Sequence, residues 1–479
     1  MDTKNKKTID REERRTLGYY STPSFIADFL AEEMLKLNPT GKIVLDPAVG
    51  QEELLSIFQE QEISTEGYDI KRYKRDYRCK FYHEDFLRLC IKNRDSLMRK
   101  EYDFIILNPP YINYKNIGLL EFKRFLNENF PKSYSNLFAD FLTATIEIAK
   151  DGCIIGAVLP DSILYSKTYN PLRLKILEQC AITHIILCPE STFRGTSANL
   201  SACLLIMRKG KGSSKSIKVL DRLTSSEELK IKLTKRDFEE RKLEELIVHN
   251  GEDSIISVSI TDDIRFLISN SPKLGDRFTV SGGVSTGNDS FFTSKIKRNG
   301  YTISYFTNPS SSKFLCEPNC WLRNDFMEVG KRTKGFIARN KHLYNKEGIV
   351  CSATGKRFSG CYLPAKGIVR TNASIFPPSK DLYWLLAYLN SSLVTYLLKS
   401  IFTRSNLTTI GNVSSIPMPD FPDNIKQILS RISIEVISGK LTVELAIEEI
   451  DSILETHLKL SDETRKRIHD FCSDLTHFV

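Results

Sequence analysis

The first half of the chain predicts a doubly wound, mostly parallel α/β sheet, followed by a mixed α/β domain and a helical C-terminal segment. Three observations carry this. Six short apolar runs, at residues 42–45, 67–70, 104–107, 153–159, 182–187 and 201–207, alternate with amphipathic stretches, the pattern of strands joined by crossover helices. From about Asp262 that regularity gives way to a strand- and loop-rich stretch containing Gly282-Gly283, Gly287, Gly355 and Gly360. From Asp423 onward Ile425, Ile428, Leu429, Ile432 and Val436 recur at helical spacing, which supplies an apolar face for packing.

With 479 residues, 41% of them hydrophobic, the chain can build roughly two to four cores at the usual domain size. The expected division is a charged N-terminal arm over 1–20, a first domain over 21–262, a second over 263–420 and the helical segment over 421–479. A Gly-, Ser- and Lys-rich stretch at 209–216 and a charged, helix-like stretch at 225–246 read as the exit from the first domain. The 11 cysteines are scattered without the even spacing of a disulfide scaffold, which fits a reducing cytoplasm. Cys316, Cys320, Cys351 and Cys361 have neither knuckle spacing nor a completing histidine, so no metal is expected. Residues 1–15 are charged without an apolar core, unlike a signal peptide. No apolar run approaches the roughly 18 residues that span a bilayer, so no membrane partner is expected.

The formal net charge is +9, and it is unevenly spread. Between Lys273 and Asp420 about 20 Lys and Arg stand against about 8 Asp and Glu, a local surplus near 12. Such a cluster favours a polyanion through counterion release.

The sharpest motif is Asn108-Pro109-Pro110-Tyr111, directly after the apolar run 104–107. Two prolines stiffen the backbone and remove two N–H donors, leaving carbonyls, one amide side chain and an aromatic wall beyond a strand end. An exocyclic amine such as adenine N6 is a poor nucleophile until acceptors hold its hydrogens, and the Asn108 oxygen and Pro109 carbonyl are suited to that. Tyr111 offers a stacking face. Other pieces precede it in order. Thr22-Pro23 opens a helix, with Thr22 expected as its cap and Pro23 in its first turn. Asp46-Pro47-Ala48-Val49-Gly50 ends a strand in an acid and a glycine turn, and Asp69-Ile70 ends the next about 20 residues on, where a carboxylate meets ribose hydroxyls. Glu84-Asp85-Phe86 places an acceptor beside an aromatic ring.

Together with Asn136-Leu-Phe-Ala-Asp-Phe141, Ala157-Val-Leu-Pro160 and Phe193, these residues resemble the gamma-class adenine-N6 DNA methyltransferases, of the TaqI-like and type IIG restriction-modification kind. The resemblance covers nearly the whole first half. It implies a seven-stranded class I methyltransferase sheet, S-adenosylmethionine as cofactor, methylation of a flipped-out adenine in double-stranded DNA, a restriction-modification setting with a separate restriction endonuclease as partner, and a bacterial-type cytoplasm, at the nucleoid when DNA is bound. Thr22, Asp46, Pro47, Ala48, Gly50, Asp69, Ile70, Asp85, Phe86, Asn108 and Phe141 would hold the cofactor; Asn108, Pro109, Pro110 and Tyr111 would handle the target amine, with Tyr111 and Phe193 stacking on the base.

One position departs from the family, which carries a second glycine where this turn reads Gly50-Gln51-Glu52-Glu53. Glu52 loses the permissive backbone and could turn its charge toward the cofactor carboxylate, point outward or meet the cofactor amino group. The second half resembles a target recognition domain in the stretches 280–292, 389–393 and 415–419, with Lys331, Arg332, Lys334, Arg339, Lys356, Arg357 and Arg370 as candidate DNA contacts. The run Lys71-Arg72-Tyr73-Lys74-Arg75 reads as an exposed helix face. Two rival readings stay open. One is a methyltransferase for RNA or protein glutamine; the other is a DNA-binding specificity subunit with a vestigial methyltransferase fold.

Overall fold

The computed structural model describes residues 18–131, 134–193, 201–210, 212, 216–309, 312–344 and 346–473. The expected arm at 1–20 therefore lies almost wholly outside the described residues, as do half of the stretch at 209–216 and the tail beyond 473. Two compact units are present: Met1–Ile247 with Gly251–Val258, and Val248–Asn250 with Ser259–Val479.

In the first unit, nine strands form one sheet. They are β1 (Ile43–Asp46), β2 (Ser64–Tyr68), β3 (Lys80–Tyr82), β4 (Phe104–Leu107), β5 (Ile154–Pro160), β6 (Cys180–Leu187), β7 (Ala202–Lys209), β8 (Ile217–Leu220) and β9 (Glu239–Arg241), in the order β3-β2-β1-β4-β5-β7-β6-β8-β9. The run from β3 to β5 is parallel. β7 lies antiparallel between β5 and β6, β8 parallel to β6, and β9 antiparallel to β8. The sheet thus has nine strands where seven were expected. The stretch read as an exit returns to the sheet instead, because Ile217, Val219 and Leu220 bury against it. Of the helix-like residues 225–246, one α-helix takes Ser226–Lys235 and the rest contribute β9 and a single turn.

Both faces of the sheet are covered, which explains why its strands read as continuous apolar runs. Phe104 and Ile106 face one core with α1 (Ser24–Leu37), whereas Ile105 and Leu107 face the other, with Phe138, Leu142 and Ile146 on a helix discussed below. Each such fully buried side chain is worth roughly 2 kcal/mol. Gly156 in β5 lets α1 approach closely, since a Cβ there would lie 2.4 Å from the Met34 sulfur.

In the second unit, two four-stranded sheets form, one from Thr279–Ser281, Ser374–Phe376, Gly348–Cys351 and Gly360–Leu363, the other from Thr293–Ser294, Cys320–Arg323, Tyr301–Phe306 and Ile368–Val369. Helices Leu382–Leu389, Asp423–Ile437, Val443–His457 and Asp462–Ser473 follow, with a π-helix at Leu397–Phe402. On Asp423–Ile437 the expected apolar face is buried at Leu429 and Ile432, and Ser433 Oγ donates to the Tyr383 carbonyl at 2.7 Å. Among the described residues no single helix is long and apolar enough to cross a membrane.

One buried carboxylate stitches the added strands of the first unit to its helices. Glu33 of α1 is 2% exposed and meets Lys36 at 2.7 Å, Arg236 Nε at 2.7 Å, His184 of β6 at 3.3 Å and Lys218 of β8 at 3.4 Å. Burial alone would raise its pKa, but the adjoining His184 and the Lys36 and Arg236 cations outweigh it and hold the carboxyl well below its ordinary range. A carboxylate depressed in the folded state stabilises fully above its unfolded pKa, and that stability is lost as pH falls. Glu33→Gln should cost about 3 kcal/mol in urea denaturation at pH 7, and the gap from wild type should narrow as pH drops below about 4.3. A gap that widens toward acid would contradict this.

Candidate active site

The strand order reverses where β1 lies beside β4, so the loops leaving their carboxyl ends diverge and open a crevice. The loop after β1 carries Asp46–Gly50, and the loop after β4 carries the Asn-Pro-Pro-Tyr sequence. The Asn108 amide is held from one side only. Its Nδ2 donates to the Tyr20 carbonyl at 2.8 Å and to the Thr22 hydroxyl at 2.9 Å, which leaves Oδ1 buried with no hydrogen-bond partner among the described residues. A buried acceptor without a donor costs about 1–3 kcal/mol unless a ligand supplies one. Thr22 was expected to cap α1, but the helix starts after Pro23, whose carbonyl takes the Ile26 and Ala27 amides, and the hydroxyl turns to Asn108 instead.

Next to Asn108 lies a cavity of about 400 Å³, within the usual range for small-molecule sites. Pro47, Ala48, Asp69, Ile70, Asp85, Phe86, Asn108, Pro110 and Phe141 of the expected set line it. Asp69 accepts from the Gly50 and Lys71 amides, both at 3.0 Å, and so ties the glycine turn to the end of β2. Burial raises its pKa against those two bonds. Asp85 caps α2 (Phe86–Lys92) through the Arg88 amide at 3.2 Å, and the Phe86 and Phe141 rings lie 5.9 Å apart, 20° from parallel. Sequence reasoning missed Gly18, Tyr19, Tyr73, Ile112 and Phe122, which line the cavity but belong to no short motif. Tyr19 stacks on Tyr73 at 4.8 Å and donates to Glu53.

Several expected residues stand just outside the cavity lining. Asp46 is 1% exposed and shapes the turn by accepting from the Ala48 amide at 2.9 Å, while burial drives its pKa well up. Gly50 has φ +52°, and a Cβ there would strike the Tyr19 ring at 2.5 Å. Pro109 is buried, and Tyr111 donates its hydroxyl to the Val158 carbonyl at 2.9 Å, with its ring 5.3 Å from Tyr20. Phe193 is a core residue, 4% exposed, packed in the cluster of Ile186, Cys188 and Ala202. Glu52 neither points outward nor lines the cavity; it is buried. Lys71–Arg75 form no helix; Lys71 and Lys74 lie over the Tyr73 and Tyr77 rings and Arg72 over Phe81.

In the second unit Lys331, Arg332, Lys334, Arg339 and Lys356 are exposed. Arg370 is exposed and paired with Asp289 at 2.7 Å. Arg357 is exposed as well, and its Nη2 donates at 2.7 Å to the Cys472 carbonyl, at the end of helix Asp462–Ser473.

The strand order and the crevice beside β1 and β4 define a class I methyltransferase-like α/β fold. Residues 79–263, less than half of the chain, match the family model of N-6 DNA methylases. The chain is 26% identical over 197 residues to the type II methyltransferase M.HincII of Haemophilus influenzae, covering 40% of this chain and 38% of that one. It is 24% identical over 375 residues to the adenine-specific methyltransferase BrxX of Escherichia coli O9:H4 (strain HS), covering 71% of this chain and 29% of that one. The chain thus matches well under half the length of these relatives. Its fold is similar to that of the type IIL restriction-modification enzyme MmeI, solved in complex with DNA, with a TM-score of 0.65, 12% identity and coverage of 98% of this chain and 80% of that one.

The loop after Tyr111 is latched by a buried acid. Asp140 on α3 (Leu137–Ile148) is fully buried and accepts from the Tyr114 hydroxyl at 2.8 and 2.7 Å. Burial raises its pKa to about 7, with the Tyr114 bond opposing. An acid raised in the folded state makes folding less favourable as pH climbs from its unfolded pKa to its folded one. Asp140→Asn should remove that decline between about pH 4 and pH 7 in thermal melts across pH. An unchanged pH profile would contradict the placement.

Proposed function

We propose that this chain transfers a methyl group from S-adenosylmethionine to the N6 amine of one adenine, extruded from duplex DNA within a recognised sequence. The observation that carries the reading is the Asn108 amide, whose nitrogen is fully engaged and whose buried oxygen is left for a donor at the edge of the cavity. A planar amine presenting N–H groups supplies that donor. With its hydrogens held by the Asn108 oxygen and the Pro109 carbonyl, the nitrogen lone pair is freed from the ring. Thr22 and Tyr20 fix the amide in the orientation that offers oxygen, not nitrogen.

The cavity residues suit S-adenosylmethionine. Asp69 suits the ribose hydroxyls, Asp85 the adenine amine, Phe86 and Phe141 the flat ring, and the Pro47–Gly50 turn a close backbone approach. Glu84 and Asp85 line the cavity together with Arg88, which pairs with Asp85 at 3.4 Å. The cofactor, when bound, supplies an electrophilic methyl on a sulfonium; the protein's part is alignment. Pro110 would flank the transfer, and Tyr111, with its hydroxyl held by Val158, would give the target base a fixed face. Extrusion is required because N6 is out of reach inside a stacked duplex.

We read the first unit as catalytic and the second as the DNA reader. The basic surplus between Lys273 and Asp420 supports this, as does a fold neighbour solved with DNA. The relatives' names support a restriction-modification setting, in which a separate endonuclease would be the partner.

Asn108→Ala should lower methyl transfer by at least about 100-fold, measured with methyl-labelled cofactor, while cofactor and DNA binding stay near wild type. Turnover near the wild-type rate would overturn the assignment. Replacing Lys331, Arg332 and Lys334 with Gln should weaken DNA binding and reduce the slope of log affinity against log salt by roughly 2–3. An unchanged slope would place the reader face elsewhere.

A further inference from the structure

We infer that Glu52 is a positioning residue for the cofactor cavity, locking the loop that carries Ile70 and Tyr73 against the glycine turn. This rests on reading that cavity as an S-adenosylmethionine site. Glu52 has φ +66°, in the left-handed region that favours glycine, and such a backbone persists where surrounding contacts over-determine it. The contacts are present. Its carboxylate accepts from the Cys79 amide at 2.6 Å, the Arg78 amide at 3.2 Å and Gln59 Nε2 at 3.1 Å, and pairs with Lys74. The side chain is 3% exposed. Two backbone amides just before β3 and one cation, all from the β2–β3 loop, therefore converge on a residue of the β1 turn.

The same loop is bound to the turn a second time, since the Tyr77 hydroxyl donates to the Gly50 carbonyl at 2.8 Å and takes the Tyr73 amide at 3.1 Å. Tyr73 then stacks on Tyr19, and both line the cavity. Removing Glu52 leaves the Lys74 charge and two amides without their acceptor, so the wall formed by Ile70 and Tyr73 loses its anchor. The side chain faces Lys74 and the Arg78 and Cys79 amides and does not line the cavity. Glutamate in this turn thus does by side-chain bonding what a glycine does by backbone freedom.

Purified full-length protein titrated calorimetrically with S-adenosylmethionine tests this. Glu52→Gly should weaken binding at least tenfold although it relieves the left-handed backbone, and Lys74→Met should do the same. In methyl transfer to mixed-sequence duplex, the cofactor KM should rise in step while turnover at saturating cofactor falls less than threefold. Glu52→Gly binding as tightly as wild type or tighter overturns the inference, as does lost turnover with an unchanged KM. If Glu52→Gly fails to fold, Lys74→Met, at a residue 32% exposed, decides the question alone. No binding by wild-type protein overturns the cavity reading itself, and the role of Glu52 with it.

Discussion

A single side-chain amide ties the loop after β4 to the segment before α1. Asn108 sits where two parallel strands part, and its nitrogen is bound twice from the segment that precedes α1. Everything around it serves that orientation. Prolines at 109 and 110 stiffen the loop, the Tyr111 hydroxyl fastens it to β5, and the Tyr111 amide donates to the Gly18 carbonyl at 3.2 Å. An amide free to rotate would offer oxygen and nitrogen alternately; this one offers oxygen, buried and unpaired, beside the cavity. A buried acceptor without a donor among the described residues is a local cost of the kind that functional sites carry.

The strands β1, β4, β5, β6 and β7 were legible because both faces of the sheet are covered, so their apolar runs are nearly continuous; β2 is mostly polar and overlaps the expected run 67–70 only at Gly67 and Tyr68. The loops after β1 and β4 were legible because acid, glycine and proline are confined there by turn geometry and by the chemistry of the crevice. β3, β8 and β9 were not legible. β8 is four residues long beyond a stretch of Gly, Ser and Lys, and β9 is charged along its length, as an edge strand is. The basic run at 71–75 was misread as a helix because charge spacing carries no information about the aromatic rings that the lysines and arginines cover. Tyr19 and Tyr73 escaped notice because each reaches the cavity by stacking on a residue far away in sequence.

Buried charge marks the framework of both units. In the first, Glu33 is surrounded by cations and kept ionised, whereas Asp46, Asp69 and Asp140 have few or none and are pushed toward the neutral form. The last three lie in or close to the loops that build the site, and groups perturbed by burial collect at functional sites. In the second unit burial pushes Lys399 down to about 8, and its amine holds the Ser405 and Asn406 carbonyls at 3.1 and 2.9 Å. Asn390 bridges the Gly360 amide and carbonyl in the same manner, which gives its place in the expected 389–393 stretch a structural cause.

The most direct measurement is to incubate the purified protein with mixed-sequence duplex DNA and methyl-labelled S-adenosylmethionine, digest the DNA to nucleosides and separate them. The account predicts label in N6-methyldeoxyadenosine alone. Label in another nucleoside, or no label while the protein binds both cofactor and DNA, would contradict the role given to Asn108.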